Sequence, residues 1–306
     1  MRLANLSGRA VLLVDGGAVD VEQLTGGKFG PAVRDVLDGW EAFLAEVSGL
    51  AEASGLAEAS GLAEASGAGL GGAERIPYEI GDLGAPVPEP RQIFAIGLNY
   101  ADHAAESGLP APEFPVVFTK FPSSLGGPAT PVPLPSAGVD YEAELVAVIG
   151  RRARRVAEAD AWSYVAGLTV GQDLSEREIQ RRGPAPQFSM GKSFPGFSPT
   201  GPALVTPDEL ADPDDLAIRG WIGDEVLQES RTKQLIFSVP QLVAYLSGIC
   251  TLFPGDLIFT GTPAGVGMGR TPQRFLRPGE TLMTEIEGLG RLAVPLEQGP
   301  LEQGSL

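Results

Sequence analysis

From Gln92 onward the chain is a succession of short β-rich runs, each closed off by glycine or proline, and this pattern restricts the folds open to it. IFAIG, PVVFTK, ELVAVIG, SYVAGLTVG, PALVT, AIRGWIG, DLIFTG and TLMTEIEG each carry enough β-branched and aromatic residues for one strand and little more. Two helices are expected among them, one after Ser175 and one over VPQLVAYLS, Val239 to Ser247. The turns at Pro254-Gly255-Asp256 and Pro278-Gly279-Glu280 punctuate the end. Strands and helices do not alternate regularly, so a doubly wound parallel sheet is excluded and a mainly β, α+β fold is expected.

The first 85 residues read differently. AVLLVDGGAVDVEQL alternates and breaks at Asp15-Gly16-Gly17, which predicts a hairpin with a tight turn. Val33, Val36, Leu37, Trp40, Phe43, Leu44 and Val47 recur at helical spacing and predict one amphipathic helix. SGLAEA then occurs three times between Ser48 and Ala65. A six-residue period turns successive leucines (Leu50, Leu56, Leu62) about 240° apart on a helix, so no apolar stripe forms. Each copy also carries a helix-weakening glycine. Residues 48–66 are therefore expected to be a mobile surface insertion without chemistry. PVPEPRQ, Pro86 to Gln92, is a stiff connector. The division expected is a small N-terminal α+β domain over 1–85, a main domain over 91–297, and a disordered tail over 298–306, ending LEQGPLEQGSL.

Charge narrows the partners. With 39 acidic against 22 basic side chains the formal net charge is −17, which repels phosphate backbones and anionic lipid and argues against nucleic acid or a membrane surface as a partner. The densest basic cluster, Arg151 to Arg155, follows a strand and reads as a solvated turn. The single cysteine, Cys250 in SGICTLF, has no internal disulfide partner and reads as a small buried thiol, which fits a reducing cytoplasm. Ala10 to Val14 is too short for a signal-peptide core, and no window reaches the roughly 18 apolar residues of a spanning helix.

Chemistry enters at DYEAELVAVIG, Asp140 to Gly150. In a strand, Glu142, Glu144, Val146 and Val148 point one way and Tyr141, Ala143, Leu145, Ala147 and Ile149 the other. Two neighbouring carboxylates on a strand buried on both faces need a positive partner, and a divalent cation is one. An edge strand with a solvated pair is the alternative. A third acid favours the cation: SYVAGLTVGQDLSEREIQ runs as a strand into Asp173, after which Ser175 and Glu178 have the spacing of a capping box. Arg177 and Gln180 then share a helix face. Glu142, Glu144 and Asp173 offer oxygen only, which selects Mg²⁺, Mn²⁺ or Ca²⁺ over zinc. The chain's one histidine, His103, lies in GLNYADHAAE with Glu106 three positions on. On a helical turn the carboxylate can hold one ring nitrogen while the other takes a proton from water.

GLNYADHAAE, DYEAELVAVIG, QDLSEREIQ, GKSFPGFSPTGP (Gly191 to Pro202) and PGDLIFTGTPAGVG (Pro254 to Gly267) stand in the order and spacing that the chain shares with the fumarylacetoacetate hydrolase (FAH) family, which it resembles over residues 91–295. The resemblance implies an FAH-type mixed β-sandwich roll with a small N-terminal domain, in a homodimer, binding Mg²⁺ or Mn²⁺ and acting on β-keto or acylpyruvate-type acids. It implies metal ligation by Glu142, Glu144 and Asp173, and catalysis by His103 oriented by Glu106, with Lys192 of GKSF meeting the substrate. It also implies a pocket lined by Arg177, Gln180, Gly261 and Thr262. Gly223-Asp224 replaces the family's more usual asparagine-glycine turn.

The reaction implied is hydrolytic cleavage of the carbon–carbon bond of an acylpyruvate or 2,4-dioxo acid. His103 would activate water, and the cation would stabilise the enolate that leaves. Two alternatives need the same ligands: decarboxylation of oxaloacetate or another β-keto acid, and isomerisation of an unsaturated 2-oxo acid. A catalytically silent metal-stabilised dimer is the alternative from another class.

Overall fold

The computed structural model describes residues 1–53, 73–101 and 111–299. Three N-terminal strands, β1 (Arg2–Leu6), β2 (Arg9–Val14) and β3 (Gly17–Asp20), form two hairpins. The second hairpin turns at Asp15-Gly16, as its sequence predicts, with Gly16 at φ 83°. The first, at Ser7-Gly8, escapes the sequence reading. The chain continues through β4 (Leu83–Gly84), β5 (Ile93–Gly97), β6 (Val116–Thr119), β7 (Leu125–Gly126), β8 (Val132–Leu134), β9 (Val139–Asp140), β10 (Ala143–Ile149), β11 (Val165–Gln172), β12 (Ser175–Glu176) and β13 (Ser198–Val205). It ends with β14 (Ala217–Ile222), β15 (Glu225–Arg231), β16 (Leu257–Phe259), β17 (Thr281–Ile286) and β18 (Gly290–Gln298).

The larger sheet runs β3-β2-β1-β13-β11-β10-β16-β5-β6, with β4 on β1 and β7 on β13. The smaller runs β15-β14-β17-β18-β8, and β9 pairs with β12. All eight runs read as strands between Gln92 and Gly288 form strands. β1 pairs antiparallel with β13, Leu3 opposite Leu204, so the N-terminal strands extend the main sheet.

β10 is the partition of the molecule. Each of its residues is buried, and its two faces serve different cores. Leu145, Ala147 and Ile149 join a core that includes Ile218, Leu282, Leu292 and Val294 of the smaller sheet. Val146 and Val148 join a second core with Val33, Val36, Leu37, Trp40, Phe43 and Val47. The apolar pattern on both sides of this strand thus has a cause: one face meets a sheet, the other meets helices.

Those helical residues divide between two helices where the periodicity predicts one. α2 (Val33–Asp38) stops at Gly39 and α3 (Trp40–Ala53) begins after it, α1 being the single turn Val21–Leu24. A side chain at Gly39 would press on the Phe29 ring, its Cβ 3.1 Å from Cε1. The apolar face is as expected; a period alone does not register a break. The first SGLAEA copy, Ser48 to Ala53, continues α3, contrary to the expected insertion, and the other two lie outside the described residues.

Among the described residues the remaining α-helices are α4 (Arg177–Gln180), α5 (Phe188–Gly191) and α6 (Val239–Ile249). α6 starts in a full capping box, Ser238 accepting from Gln241 N and Gln241 reaching back to Ser238 N, a cap worth about 1 kcal/mol. Cys250, expected to be buried, is half-buried after the end of α6, its thiol 3.5 Å from the Leu246 carbonyl. The tail also needs correcting. Leu296, Glu297 and Gln298 complete β18 in parallel with Val132, Pro133 and Leu134, so the strand runs into the tail expected over 298–306, of which 300–306 lie outside the described residues.

Packing beside β10 is tight. A Cβ on Gly171 of β11 would stand 2.5 Å from Val146 Cγ2 and 2.9 Å from the Phe259 ring. Gly171→Ala is expected to destabilise by about 1–3 kcal/mol through overpacking, measurable by urea unfolding. Unchanged stability would mean that this seam has slack.

Candidate metal centre and substrate pocket

The acids come together because two adjacent strands are tied at their ends. Asp173 N donates to the Glu142 carbonyl at 2.9 Å, and Glu142 N donates to Gln172 Oε1 at 2.9 Å. The Gln172 amide is in turn anchored on Thr284 Oγ1 of the smaller sheet at 2.7 Å. This brings one carboxylate oxygen from each of Glu142, Glu144 and Asp173 to within 4.8 Å of one another, all three residues buried. The strand is central, so the solvated-edge alternative falls.

Buried cations answer this charge. Lys192 Nζ lies 2.8 Å from Glu142 Oε2 and 2.6 Å from Asp173 Oδ2. Lys120 Nζ lies 2.5 Å from Asp173 Oδ1 and also donates to the Lys192 carbonyl. Arg177 sits 2.7 Å from Glu142 Oε1 and 2.8 Å from Asp140 Oδ2, and its Nη1 donates to Gln180 Oε1 at 2.9 Å. Arg177 and Gln180 thus share the face their spacing predicts.

The two lysines differ although both are buried. Burial lowers the Lys120 ammonium below its usual range, beyond what Asp173 restores. Burial also works against the Lys192 charge, but Asp173 and Glu142 together raise it above the usual range. Arg177 is likewise raised: Glu142 and Asp140 more than offset its burial. Glu144 accepts the Gly261 amide at 2.8 Å. Burial first, then the charges of Asp173 and Glu142, push its carboxyl well above the usual carboxylate range. A carboxyl so placed is one that a doubly charged ion would hold as an anion, and an all-oxygen donor set fits a hard cation.

The helix after Asp173 does not start as its sequence predicts. Ser175 pairs with Asp140 across β12 and β9, and its hydroxyl donates to the Asp173 carbonyl at 3.0 Å. The cap of α4 is Glu176, whose carboxylate accepts Ile179 N at 2.6 Å. Ser175 is held in a strand ladder and is too early in the chain to cap.

A cavity of about 590 Å³ is lined on its polar side by Glu142, Arg177, Gln180, Lys192 and Thr262, and on its apolar side by Ile96, Phe118, Phe188, Val266 and Met268. The Thr262 hydroxyl is turned into the scaffold, donating to the Ala143 carbonyl at 2.9 Å and accepting from Gln228 Nε2 at 2.7 Å. Gln228 lies on β15, so the hairpin at Gly223-Asp224 belongs to a strand that braces the pocket. Gly261 contributes its main-chain N–H to Glu144. His103 and Glu106 lie outside the described residues; Gly97 and Leu98, which lead toward them, line the cavity.

Sequence reasoning missed Lys120 and Asp140. Lys120 ends the apolar run PVVFTK and is fully buried, a placement that a lysine takes only with a partner. Asp140 continues the alternation of Glu142 and Glu144 one step back along the chain.

A pocket with buried acids and cations at its floor and an apolar wall belongs to the class of enzymes that handle small anions. Residues 92–297 match the fumarylacetoacetate (FAA) hydrolase C-terminal family. A mitochondrial oxaloacetate tautomerase of Xenopus laevis is 43% identical over 214 residues, 69% of this chain and 67% of that protein. A fumarylacetoacetate hydrolase domain-containing protein 2 homolog of Dictyostelium discoideum is 46% identical over 229 residues, 71% of this chain and 75% of that one. Among solved structures, a Mycobacterium smegmatis protein provisionally designated HpcE superposes with a TM-score of 0.84 at 49% identity, over 97% of this chain and 99% of its own. Maleylpyruvate hydrolase from Sphingobium sp. SYK-6, with manganese(II) and pyruvate, gives 0.75 at 30% identity, over 98% and 100%. The chain belongs to the fumarylacetoacetate hydrolase family and is an enzyme of that type.

Proposed function

We propose that the protein interconverts the enol and keto forms of a small 2-oxo dicarboxylic acid of the oxaloacetate class, with Mg²⁺ or Mn²⁺ held by Glu142, Glu144 and Asp173. The observation that carries this reading is the buried acid triad, whose member Glu142 lines a cavity together with Arg177 and Lys192. The ion, when bound, supplies Lewis-acid polarisation of the oxygens of the 2-oxo acid. Lys192 and Arg177 add the local positive charge that a dianion needs in so acidic a protein. Arg177 also holds Gln180 Oε1 and so orients that amide at the cavity wall. In the proposed reaction the enol O–H loses its proton and the neighbouring carbon gains one, so the sum is an isomerisation. His103, steadied by Glu106, is the assigned proton carrier on the strength of its motif. The relatives named oxaloacetate tautomerase support this choice of substrate.

Hydrolytic cleavage of an acylpyruvate is the second reading. It is favoured by the apolar wall of Phe118, Phe188, Val266 and Met268, which offers an acyl chain more contact than oxaloacetate can use, and by the Sphingobium hydrolase, whose structure holds manganese and pyruvate.

Following the enol absorbance of oxaloacetate, with acylpyruvates assayed in parallel, tests both. Enol decay should accelerate with protein plus Mg²⁺ or Mn²⁺ and return to the solvent rate after chelation. Acceleration that survives chelation would remove the metal from the reading, and turnover of acylpyruvates alone would promote hydrolysis.

A further inference from the structure

We propose that Asp140 is a positioning residue that fixes Arg177 and the Gly267-Met268 main chain together as one wall of the anion-binding cavity; this rests on the reading of the cavity as a 2-oxo acid site. Asp140 is fully buried, and both of its oxygens are taken up. Oδ1 accepts Tyr141 N at 2.9 Å and Gly267 N at 2.7 Å. Oδ2 accepts Met268 N at 3.0 Å and Arg177 Nε at 2.8 Å. One carboxylate thereby joins β9, the first residue of α4 and the glycine-rich segment whose Val266 and Met268 wall the cavity.

Residue 267 has to be glycine for this packing: a Cβ there would collide with the Arg274 carbonyl and stand 2.7 Å from Asp140 Oδ1. The segment has further ties. Tyr141 donates its hydroxyl to the Gly265 carbonyl at 3.1 Å, and Arg270 Nε donates to the same oxygen at 3.1 Å. Asp140 is the one of these that reaches Arg177 as well.

Charge explains why a carboxylate is needed. The Arg177 guanidinium stands between Asp140 and Glu142. Asp140 accepts from its Nε edge while Glu142 faces its Nη2. An amide in place of the carboxylate preserves shape but removes the charge, and it turns an N–H toward donors on at least one side. Charge-assisted hydrogen bonds are among the strongest fixed contacts in a site, so the guanidinium and the segment lose their common anchor together.

Asp140→Asn is the test, read with Mn²⁺ and with oxalate, a small dianion that is not turned over. Oxalate affinity should fall about 10- to 100-fold while Mn²⁺ affinity stays within about threefold, and where turnover is measurable KM should rise far more than kcat changes. A merely structural role would lower the melting temperature and leave oxalate affinity intact, which would overturn the proposal. Hydrogen exchange on the wild-type protein gives an arm that does not depend on the variant folding: oxalate should slow the amides of Gly267 and Met268, and unchanged exchange would also overturn it. If the wild type binds oxalate but turns over neither oxaloacetate nor acylpyruvates, the reaction assigned above fails and the Asp140 proposal is still decided. Failure of oxalate to bind the wild type overturns both.

Discussion

Asp173→Ala should abolish activity and cost more stability than any other single change in the site. The aspartate is the shared partner of two fully buried ammonium groups, Lys120 on one oxygen and Lys192 on the other. Removing it leaves both near each other without the anion that separates them. Breaking a buried ionic contact by deleting one partner costs about 3–5 kcal/mol, so the melting temperature should fall by roughly 10 °C. Addition of Mn²⁺ should no longer raise it, because one of the three proposed oxygen ligands is gone. Thermal melts with and without Mn²⁺, beside the enol assay, read all three effects. A variant that keeps the wild-type melting temperature would show that the lysines re-pair elsewhere and that the cluster is not held as described.

Glu144→Gln should also abolish activity, but with the opposite effect on the metal-free protein. Burial and the neighbouring Asp173 and Glu142 charges raise this carboxyl. An acid whose pKa is raised by folding binds its proton more tightly in the folded than in the unfolded state. Its contribution is therefore complete below the ordinary carboxylate range and is lost as pH rises through the raised folded value. Glutamine mimics the protonated form and can still accept the Gly261 amide. The variant without metal should thus equal the wild type at acid pH and exceed its stability at neutral to alkaline pH, while Mn²⁺ stabilises only the wild type. Chemical denaturation at a series of pH values measures this. Parallel pH curves for the two proteins would mean that the Glu144 charge is compensated some other way.

How much of this could be read beforehand depended on how far apart in the chain the partners are. Glu142 and Glu144 were legible because strand alternation is a local rule, and Asp173 because a strand visibly gives way to a helix beside it. The pairing of Arg177 with Gln180 needed only a helical turn. Lys120 was not legible: it meets Asp173 only through the order in which β6, β5, β16, β10 and β11 assemble, and no short window carries that order. The joining of β1 to β13 is hidden for the same reason. Ser175 misled because its spacing to Glu178 fits a capping box, while the decisive fact, its ladder with Asp140, is tertiary. The break at Gly39 was missed because apolar spacing continues in phase across it.

The clamping of β10 between two cores has a consequence for how such an enzyme can change. The acids stand at the mouth of a strand that cannot shift without disturbing packing on both sides, whereas Val116 and Phe118 on the edge strand, Phe188 on a single helical turn and Met268 on a 3₁₀ turn contribute the cavity wall. Reactivity is thereby lodged in the least adjustable part of the molecule and selectivity in the most adjustable. New carboxylic acids can be accommodated by exchanging peripheral side chains one at a time while the ancestral proton chemistry is inherited intact.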